Sequence, residues 1–205
     1  AQQRLAALGI LQRDLGAVGE VEIAHRRGID LLELRRHHVV GVERRLAARL
    51  ATARRIAADA GEMALEYFRK WDRLTIDVKG HQDFVSEADR NVELAVRAAL
   101  AEAFPDDGIV GEEGAPTPGT SGYTWVIDPI DGTTNFINGI PQWCVILACA
   151  HQGQTVIGVV HDPVHDEMHH AVRGGGAFCN DRPIRCSDKA SLREGSLGVG
   201  FSGRT

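Results

Sequence analysis

The chain has 205 residues, of which 43% are hydrophobic, 25% charged and 5% aromatic, and its formal net charge is -5. This composition supplies enough apolar residues for a core and excludes a wholly disordered chain. No apolar run reaches the roughly 18 residues that a membrane-spanning helix needs, so no membrane insertion is expected. Residues 1–60 hold 11 Lys/Arg and 7 Asp/Glu, whereas residues 61–205 hold 12 and 21. The acidic second region favours a cation site over a nucleic-acid groove, which makes a nucleic-acid partner an unfavoured interpretation.

The cysteines point to a reducing compartment. None of the four, Cys144, Cys149, Cys179 and Cys186, has CxxC spacing, and two lie in an apolar run where a thiol behaves as a small hydrophobic group. The N-terminal residues lack the basic-then-apolar order of a signal peptide. We therefore predict reduced, structural cysteines and a cytoplasmic protein.

The first half of the chain is predicted to be mainly helical. Residues 1–42 form a helical N-terminal extension with no chemical motif, and its arginines are interpreted as a solvated helix face. Apolar residues spaced by three and four then predict a long helix from Val42 to about Phe68. After a strand at 74–79, Ser86 and Asp89 resemble a capping box, which predicts a second helix over residues 87–104.

The second half is predicted to be a sheet. Strands are expected at 109–113, 124–128, 143–151, 155–162 and 168–172, joined by turns that contain glycine. Residues 114–124 are expected to be a flexible connector, and residues 173–187 to supply tight turns. Helices followed by mostly antiparallel strands indicate an α+β architecture.

The segment WVIDPIDGTTNF (125–136) is the most informative part of the sequence. An apolar strand ends in Asp128, Pro129 fixes the turn, and Asp131 follows three residues after Asp128. The two carboxylates can converge on hard divalent ions such as Mg²⁺. Gly132 and Thr133 then offer backbone N–H groups at the start of a helix, which suits a phosphate. One turn therefore supplies both halves of a metal–phosphate site.

The alternative interpretation is that these acidic residues only cap a local turn. Other acids argue against it: Glu112 and Glu113 lie at another strand end, and residues 83–89 add further carboxylates. Such groups repel one another if they share a pocket, at a cost on the order of several kcal/mol, unless a multivalent cation is present.

Three motifs, DFVSEAD (83–89), GEE (111–113) and WVIDPIDGTTNF (125–136), resemble the signatures of the inositol monophosphatase family of metal-dependent sugar phosphatases. The resemblance extends over about residues 43–205. It implies one domain over 43–205, following the helical extension 1–42. The implied fold is a layered α-β-α-β-α sandwich with a largely antiparallel sheet, whose second half is incomplete here.

The resemblance also implies a role for each matched position. Two or three Mg²⁺ ions would be held by Glu112, Asp128, the Ile130 carbonyl and Asp131. Catalysis would involve Thr133 and Asp89, which would orient and deprotonate the attacking water, together with Glu112. The implied substrate-binding residues are Glu112, Ile130, Asp131, Gly132 and Thr133, and the implied supporting residues are Lys79 and Asp83.

The implied activity is hydrolysis of a small phosphorylated polyol or sugar, with inositol monophosphate preferred, by a homodimeric phosphoric monoester hydrolase. Metal ions would lower the pKa of water and stabilise the leaving alkoxide. Histidinol phosphate, fructose 1,6-bisphosphate and 3′-phosphoadenosine nucleotides are alternative substrates within the family. A non-catalytic, partner-binding role is the alternative of a different class.

One departure concerns the family's later Trp-Asp motif, which supplies the last metal-binding aspartate. Trp71-Asp72 has the right two letters in the wrong place, and the sequence stops before the motif should arrive. We therefore expect residues 1–205 alone to have weak or no activity. Ser86 also stands where the family more often has Thr, which keeps the hydroxyl.

Two further segments invite a ligand. HDPVHDEMHH (161–170) has four His and three acids but does not match HExxH, so a solvated hairpin is favoured over a metal cluster. The glycine run 174–176 lacks the Lys-Ser/Thr of a phosphate loop and is interpreted as a sheet turn.

Overall fold

The computed structural model describes the backbone of residues 31–80 and 83–195, and the side chains of residues 40–76, 86–191 and 193–195. The helical patterns predicted in residues 1–30 lie outside these ranges. No helix within them combines the length and apolar character needed to cross a membrane. The helices are α1 (Leu31–Phe68), α2 (Glu87–Ala103) and α3 (Thr133–Ile137), with short 3₁₀ turns at Trp71–Arg73 and Leu192–Glu194. The strands are β1 (Ile76–Gly80), β2 (Asp83–Ser86), β3 (Gly108–Gly111), β4 (Tyr123–Asp131), β5 (Cys144–His151), β6 (Gln154–Asp162), β7 (Glu167–Val172), β8 (Gly176–Cys179) and β9 (Arg182–Ile184).

Helix α1 has 38 residues and presents small side chains to the sheet. Its buried positions recur every three or four residues, as the sequence predicts. The prediction that the helix begins at Val42 is wrong, because it already includes Leu31. No proline interrupts residues 31–42, and the single glycine there, Gly41, is tolerated in a helix at a modest cost. The helix thus runs across the expected domain boundary at residue 42, and where the domain begins stays a prediction. The buried small residues are Ala53, Ala57, Ala60 and Ala64.

Helix α2 begins as the sequence predicts. The Ser86 side chain accepts hydrogen bonds from the Ala88 and Asp89 amides, and the Asp89 carboxylate accepts one from the Ser86 amide. This is a capping box, which satisfies amides that have no partner within the helix. Ser86 and Asp89 are both buried, so the start of α2 is fixed inside the protein.

Within the described residues, the main sheet has seven strands in the order β3-β4-β5-β6-β7-β8-β9, and β1 with β2 forms a separate antiparallel hairpin. Only β3 and β4 are parallel, while the other neighbours in the main sheet are antiparallel. Two predictions need correction. Strand β4 continues past Asp128 to Asp131 through an irregularity in its pairing with β5. Residues 176–179 and 182–184 form strands β8 and β9, because β8 pairs with β7 and β9 pairs with β8, which extends the sheet into a segment interpreted as turns.

The connector at 114–124 is tied to the sheet edge. Thr117 exchanges backbone hydrogen bonds with Ile109, and the amides of Thr120 and Ser121 donate to the Asp106 carbonyl. The prediction of a flexible connector is therefore wrong for much of this segment. Its glycines and prolines shape the path of the chain, and backbone hydrogen bonds to residues before the connector fix this path in place.

The core lies between the two long helices and one face of the sheet. Along β4, Trp125 and Ile127 are buried while Val126 is 46% exposed, which is the alternation of a strand covered on one face only. Trp143 is also buried, so both tryptophans beside the acidic turn belong to the core. The ring of Trp143 contacts the rings of Phe68 on α1 and Phe136 on α3, so α3 packs against the core.

A buried ion pair joins α1 to the segment after α2. Both oxygens of Asp107 accept from the Arg49 guanidinium, at 2.8 and 3.0 Å, and one also accepts from the indole of Trp125. Burial alone would raise the pKa of Asp107, but hydrogen bonds from Arg49 and Ser121 and the Arg49 charge lower it below its usual value. The carboxylate therefore stays ionised and fully bonded, so the start of β3 is held against α1.

Candidate metal and phosphate site

Three carboxylates meet at one end of the β3–β4 pair. Gly111 on β3 pairs with Ile127 on β4, so Glu112, just past the end of β3, follows beside Asp128, the next residue of β4. Parallel strands end at the same edge of a sheet, which brings acids from distant parts of the sequence together. The sequence-based expectation that Glu112 shares a pocket with Asp128 and Asp131 agrees with this placement.

The charges of Glu112 and Asp131 both act on Asp128. Burial, the charges of Glu112 and Asp131 and a hydrogen bond with Glu112 raise the pKa of Asp128 to about 7. A hydrogen bond between two carboxyl groups requires that one of them keep a proton and donate it. Asp128 Oδ1 is buried and has no hydrogen-bond partner within the described residues. A divalent cation fits this arrangement, because it would replace the shared proton and supply the missing partner.

The pairing of β4 with β5 is irregular between Asp128 and Asp131, and this irregularity changes the direction in which the side chains of the turn point. Ile130 is buried, and its amide donates a hydrogen bond to Asp128, while Asp131 is exposed at the end of the strand. A bulge places the two carboxylates on one side of the strand although they are three residues apart. The turn therefore brings Asp131 close enough for its charge to act on Asp128, which itself contacts Glu112.

Gly132 turns the chain from β4 into α3. Its φ is +94°, in the left-handed region that favours glycine, and a Cβ there would lie 2.9 Å from the Gln142 carbonyl oxygen. The helix start expected from the sequence is confirmed, because Thr133 opens α3 with Gly132 as its N-cap.

Thr133 and Asp89 are in contact. The Thr133 hydroxyl oxygen lies 3.1 Å from Asp89 Oδ1 and 3.0 Å from the Ile130 carbonyl oxygen, so its single proton has two possible acceptors. The Ser86 hydroxyl donates to Asp89 Oδ2 at 2.5 Å. The cap of α2 thus fixes the carboxylate that contacts the start of α3.

The remaining predicted residues lie on the small hairpin. Lys79 is in β1 and Asp83 begins β2, whose last residue, Ser86, caps α2. Strand β2 also contacts α3, which brings the hairpin close to the acidic turn. The side chains of Lys79 and Asp83 are outside the described part of the chain, so their supporting roles stay predictions.

Two residues that contact the candidate site were not predicted from the sequence, and the first is Glu93 on α2. It is 2% exposed, and its oxygens accept from the Glu113 amide at 2.8 Å and the Gly114 amide at 2.9 Å. The Arg97 guanidinium donates to the same carboxylate at 2.6 Å. Glu93 therefore clamps the loop that carries Glu112. Its place among the buried residues of α2 was the available clue, since a charged side chain on a buried helix face needs partners.

The second is Cys144, whose Sγ lies 3.7 Å from Asp131 Oδ2. Burial and the neighbouring Asp131 charge raise the pKa of this thiol to about 12, so it stays protonated and can donate to Asp131. No local motif marks Cys144, because its contact with Asp131 depends on the β4–β5 register.

The histidine-rich segment is only partly solvated. His161 and His170 are each 8% exposed, and the ring of His170 stacks on Phe178. Burial lowers the pKa of both imidazoles. The solvated-hairpin interpretation is therefore wrong for these two residues, which face the core side of β6 and β7. It holds at the tip, where His165 is exposed and Asp162 caps the turn.

Comparison with known proteins identifies this arrangement. A family model described as the inositol monophosphatase family matches residues 46–205. The chain is 42% identical over 142 residues to an inositol-1-monophosphatase from Rhizobium meliloti, with 69% of this chain and 53% of the relative covered. It is 43% identical over 155 residues to a Nus factor SuhB from Pseudomonas aeruginosa, with 74% and 57% covered. A histidinol-phosphatase from Chlorobaculum parvum is 41% identical over 138 residues, with 67% and 53% covered.

A solved structure agrees with these relatives. The extragenic suppressor protein suhB from Bartonella henselae superposes with a TM-score of 0.69 at 38% identity, over 71% of this chain and 57% of that one. The fold is the one that this solved structure has. The chain belongs to the inositol monophosphatase family, and it spans a little over half the length of the curated relatives it matches. The family resemblance and the α+β fold class are thereby confirmed.

Proposed function

We propose that the acidic turn is the Mg²⁺ and phosphate site of a phosphomonoesterase that hydrolyses a small phosphorylated polyol or sugar. The observation that carries this proposal is the convergence of Glu112 and Asp131 on Asp128, one buried oxygen of which has no hydrogen-bond partner among the described residues. All-oxygen donors of this kind suit Mg²⁺ better than softer metals. Inositol monophosphate is the preferred substrate, because a relative with 42% identity carries that activity in its name.

The metal would be held by Glu112, Asp128, Asp131 and the Ile130 carbonyl, and when bound it would supply Lewis-acid stabilisation of charge on the phosphate oxygens. The Gly132 and Thr133 amides would hold the phosphate. A hydrolysis also needs a group that orients water and takes its proton. The Thr133 hydroxyl would serve this purpose, which is supported by its 3.1 Å distance to Asp89 Oδ1 and by the hydrogen bond from Ser86 that holds Asp89.

The first test is Mg²⁺ binding by titration calorimetry, which does not require turnover by residues 1–205. Asp131→Asn should weaken Mg²⁺ binding by at least about tenfold and alter the free energy of unfolding by less than about 1 kcal/mol, because the side chain is exposed. Asp106→Asn is the matched control, since Asp106 is exposed at the opposite end of β3. Equal Mg²⁺ affinity in the Asp131→Asn variant and in the unaltered chain would contradict the proposal.

The same variants separate catalysis from a partner-binding role, which the 43% identity to a protein named Nus factor SuhB favours as the second candidate. Phosphate release from inositol monophosphate, histidinol phosphate, fructose 1,6-bisphosphate and a 3′-phosphoadenosine nucleotide is measured with Mg²⁺ and with EDTA. A phosphatase loses its turnover in EDTA and in Asp131→Asn. A role that depends only on a protein partner survives both changes.

A further inference from the structure

A second group of metal-binding side chains lies on the hairpin of β7 and β8. Glu167 and His169 are two residues apart on β7, so their side chains share one face of the sheet. Cys179 on β8 is the direct cross-strand partner of His169. His170 and Phe178 stack on each other and point to the opposite, core-facing side. The three side chains therefore project together from the outer face.

The ligand atoms of these residues are already at metal-site spacing. His169 Nε2 lies 3.1 Å from Glu167 Oε2 and 3.8 Å from Cys179 Sγ, and all three atoms lie within 4.8 Å of one another. A tetrahedral zinc ion with ordinary bond lengths keeps its ligand atoms roughly 3.3–3.7 Å apart. Small side-chain rotations are enough to close the group around one ion.

The donor set selects a different metal from that of the acidic turn. One thiolate, one imidazole and one carboxylate match the borderline-soft character of Zn²⁺, whereas Mg²⁺ prefers oxygen donors alone. A thiolate and a carboxylate also balance the charge of a divalent ion. Strands β5 and β6 lie between β4 and β7 in the sheet. At ordinary strand spacing, the distance between β4 and β7 is therefore roughly 14 Å. The two sites cannot share an ion.

We propose that Glu167, His169 and Cys179 form a Zn²⁺ site with the fourth coordination position open to water. Binding exchanges protons for the metal: the Cys179 thiol loses its proton to solvent as the S–Zn bond forms, and Nε2 of His169 binds in the neutral imidazole form. The site is independent of the proposed phosphatase activity, so either proposal can fail without the other.

The test uses Co²⁺ as a spectroscopic substitute for Zn²⁺ on the full chain, with excess Mg²⁺ present to occupy the acidic turn. A thiolate ligand to Co²⁺ gives a sulfur-to-metal charge-transfer band in the near ultraviolet, which oxygen ligands do not give. We expect this band to saturate at one equivalent of Co²⁺ and to be displaced by Zn²⁺. It should weaken as the pH falls, because protons compete for the thiolate and the imidazole.

The variants assign the band to a particular thiol. Cys179→Ser should abolish it, and His169→Gln or Glu167→Gln should lower the Co²⁺ affinity by at least about tenfold. The Glu167 and His169 side chains are 51% and 39% exposed, so these two variants are expected to fold. Cys186→Ser and Cys144→Ser are matched controls and should keep the band.

Two results would overturn the proposal. The first is the absence of any charge-transfer band in the unaltered chain, and the second is a band that persists in folded Cys179→Ser. If that persistent band is lost in Cys144→Ser, the metal lies at the acidic turn instead, since Cys144 contacts Asp131.

Discussion

Gly132 is the residue at which backbone conformation and site geometry depend most directly on each other. Its positive φ is one obstacle to any side chain, and the 2.9 Å that would separate an alanine Cβ from the Gln142 carbonyl oxygen is another. Gly153 in the β5–β6 turn has a similar φ of +76°, but a Cβ there meets no atom within 4 Å. Comparing the two glycines therefore separates the free-energy cost of a positive φ from the free-energy cost of a steric clash.

We predict that Gly132→Ala lowers the free energy of unfolding by about 2–3 kcal/mol, whereas Gly153→Ala lowers it by only about 1 kcal/mol. Chemical denaturation measures both values. Gly132→Ala should also weaken binding of inorganic phosphate in the presence of Mg²⁺, because the start of α3 must shift, while Gly153→Ala should leave that binding unchanged. Equal losses of stability in the two variants would show that the contact with Gln142 carries no cost.

At the scale of elements, helix α2 holds two parts of the proposed site in place. Asp89 in its first turn contacts Thr133, and Glu93 one turn later holds the loop that bears Glu112. One helix therefore sets the separation between the proposed water-orienting pair and the proposed metal ligands. A change at Glu93 should reach the metal site through the loop although Glu93 has no ligand role.

We predict that Glu93→Gln weakens Mg²⁺ binding by about tenfold and lowers the free energy of unfolding by about 2 kcal/mol. A glutamine can accept only through one oxygen, so its amide group would face a backbone N–H that needs an acceptor. Calorimetric titration and denaturant unfolding measure the two effects separately. Glu102→Gln, at an exposed position of the same helix, should change neither. A destabilised Glu93→Gln variant with unaltered Mg²⁺ affinity would limit Glu93 to a structural role.

The elements also show what the sequence can predict. The start of α2 follows from a local pattern, the capping box. The consecutive antiparallel strands β4, β5 and β6 follow from runs of apolar residues between turns. The acidic turn could be singled out because Asp128 and Asp131 are close in sequence and their segment resembles the signature of a known family. Glu93 and Cys144 were missed because their partners lie 20 and 13 residues away, across a packing interface and a strand register. Strands β8 and β9 were missed because turn residues dominate their segment, and only the pairing of β8 with β7 and of β9 with β8 makes them strands.

At the scale of the whole molecule, the acidic turn links stability to pH. An ordinary aspartate has a pKa of 3.8, whereas that of Asp128 is raised to about 7 in the folded chain. Between these values the folded state holds a proton that the unfolded state has released. The contribution of Asp128 to stability therefore falls as the pH rises from about 4 to 7, and above 7 the folded state bears the whole penalty. Since Asp128 is only partly buried, this penalty is on the order of 1 kcal/mol.

Mg²⁺ should reverse this penalty, because it replaces the proton as the partner of the carboxylates. We predict that saturating Mg²⁺ raises the Tm of the chain by about 3 °C more at pH 8 than at pH 6, since protons compete with the metal at the lower pH. Calorimetry at constant ionic strength, with EDTA as the metal-free reference, measures the difference and removes general screening. Asp128→Asn cannot titrate, so it should unfold at a higher temperature than the unaltered chain at pH 8 in EDTA and gain little from Mg²⁺, while Asp106→Asn behaves like the unaltered chain. A Mg²⁺ effect of equal size at both pH values, or one that persists in Asp128→Asn, would mean that the metal acts elsewhere on the protein.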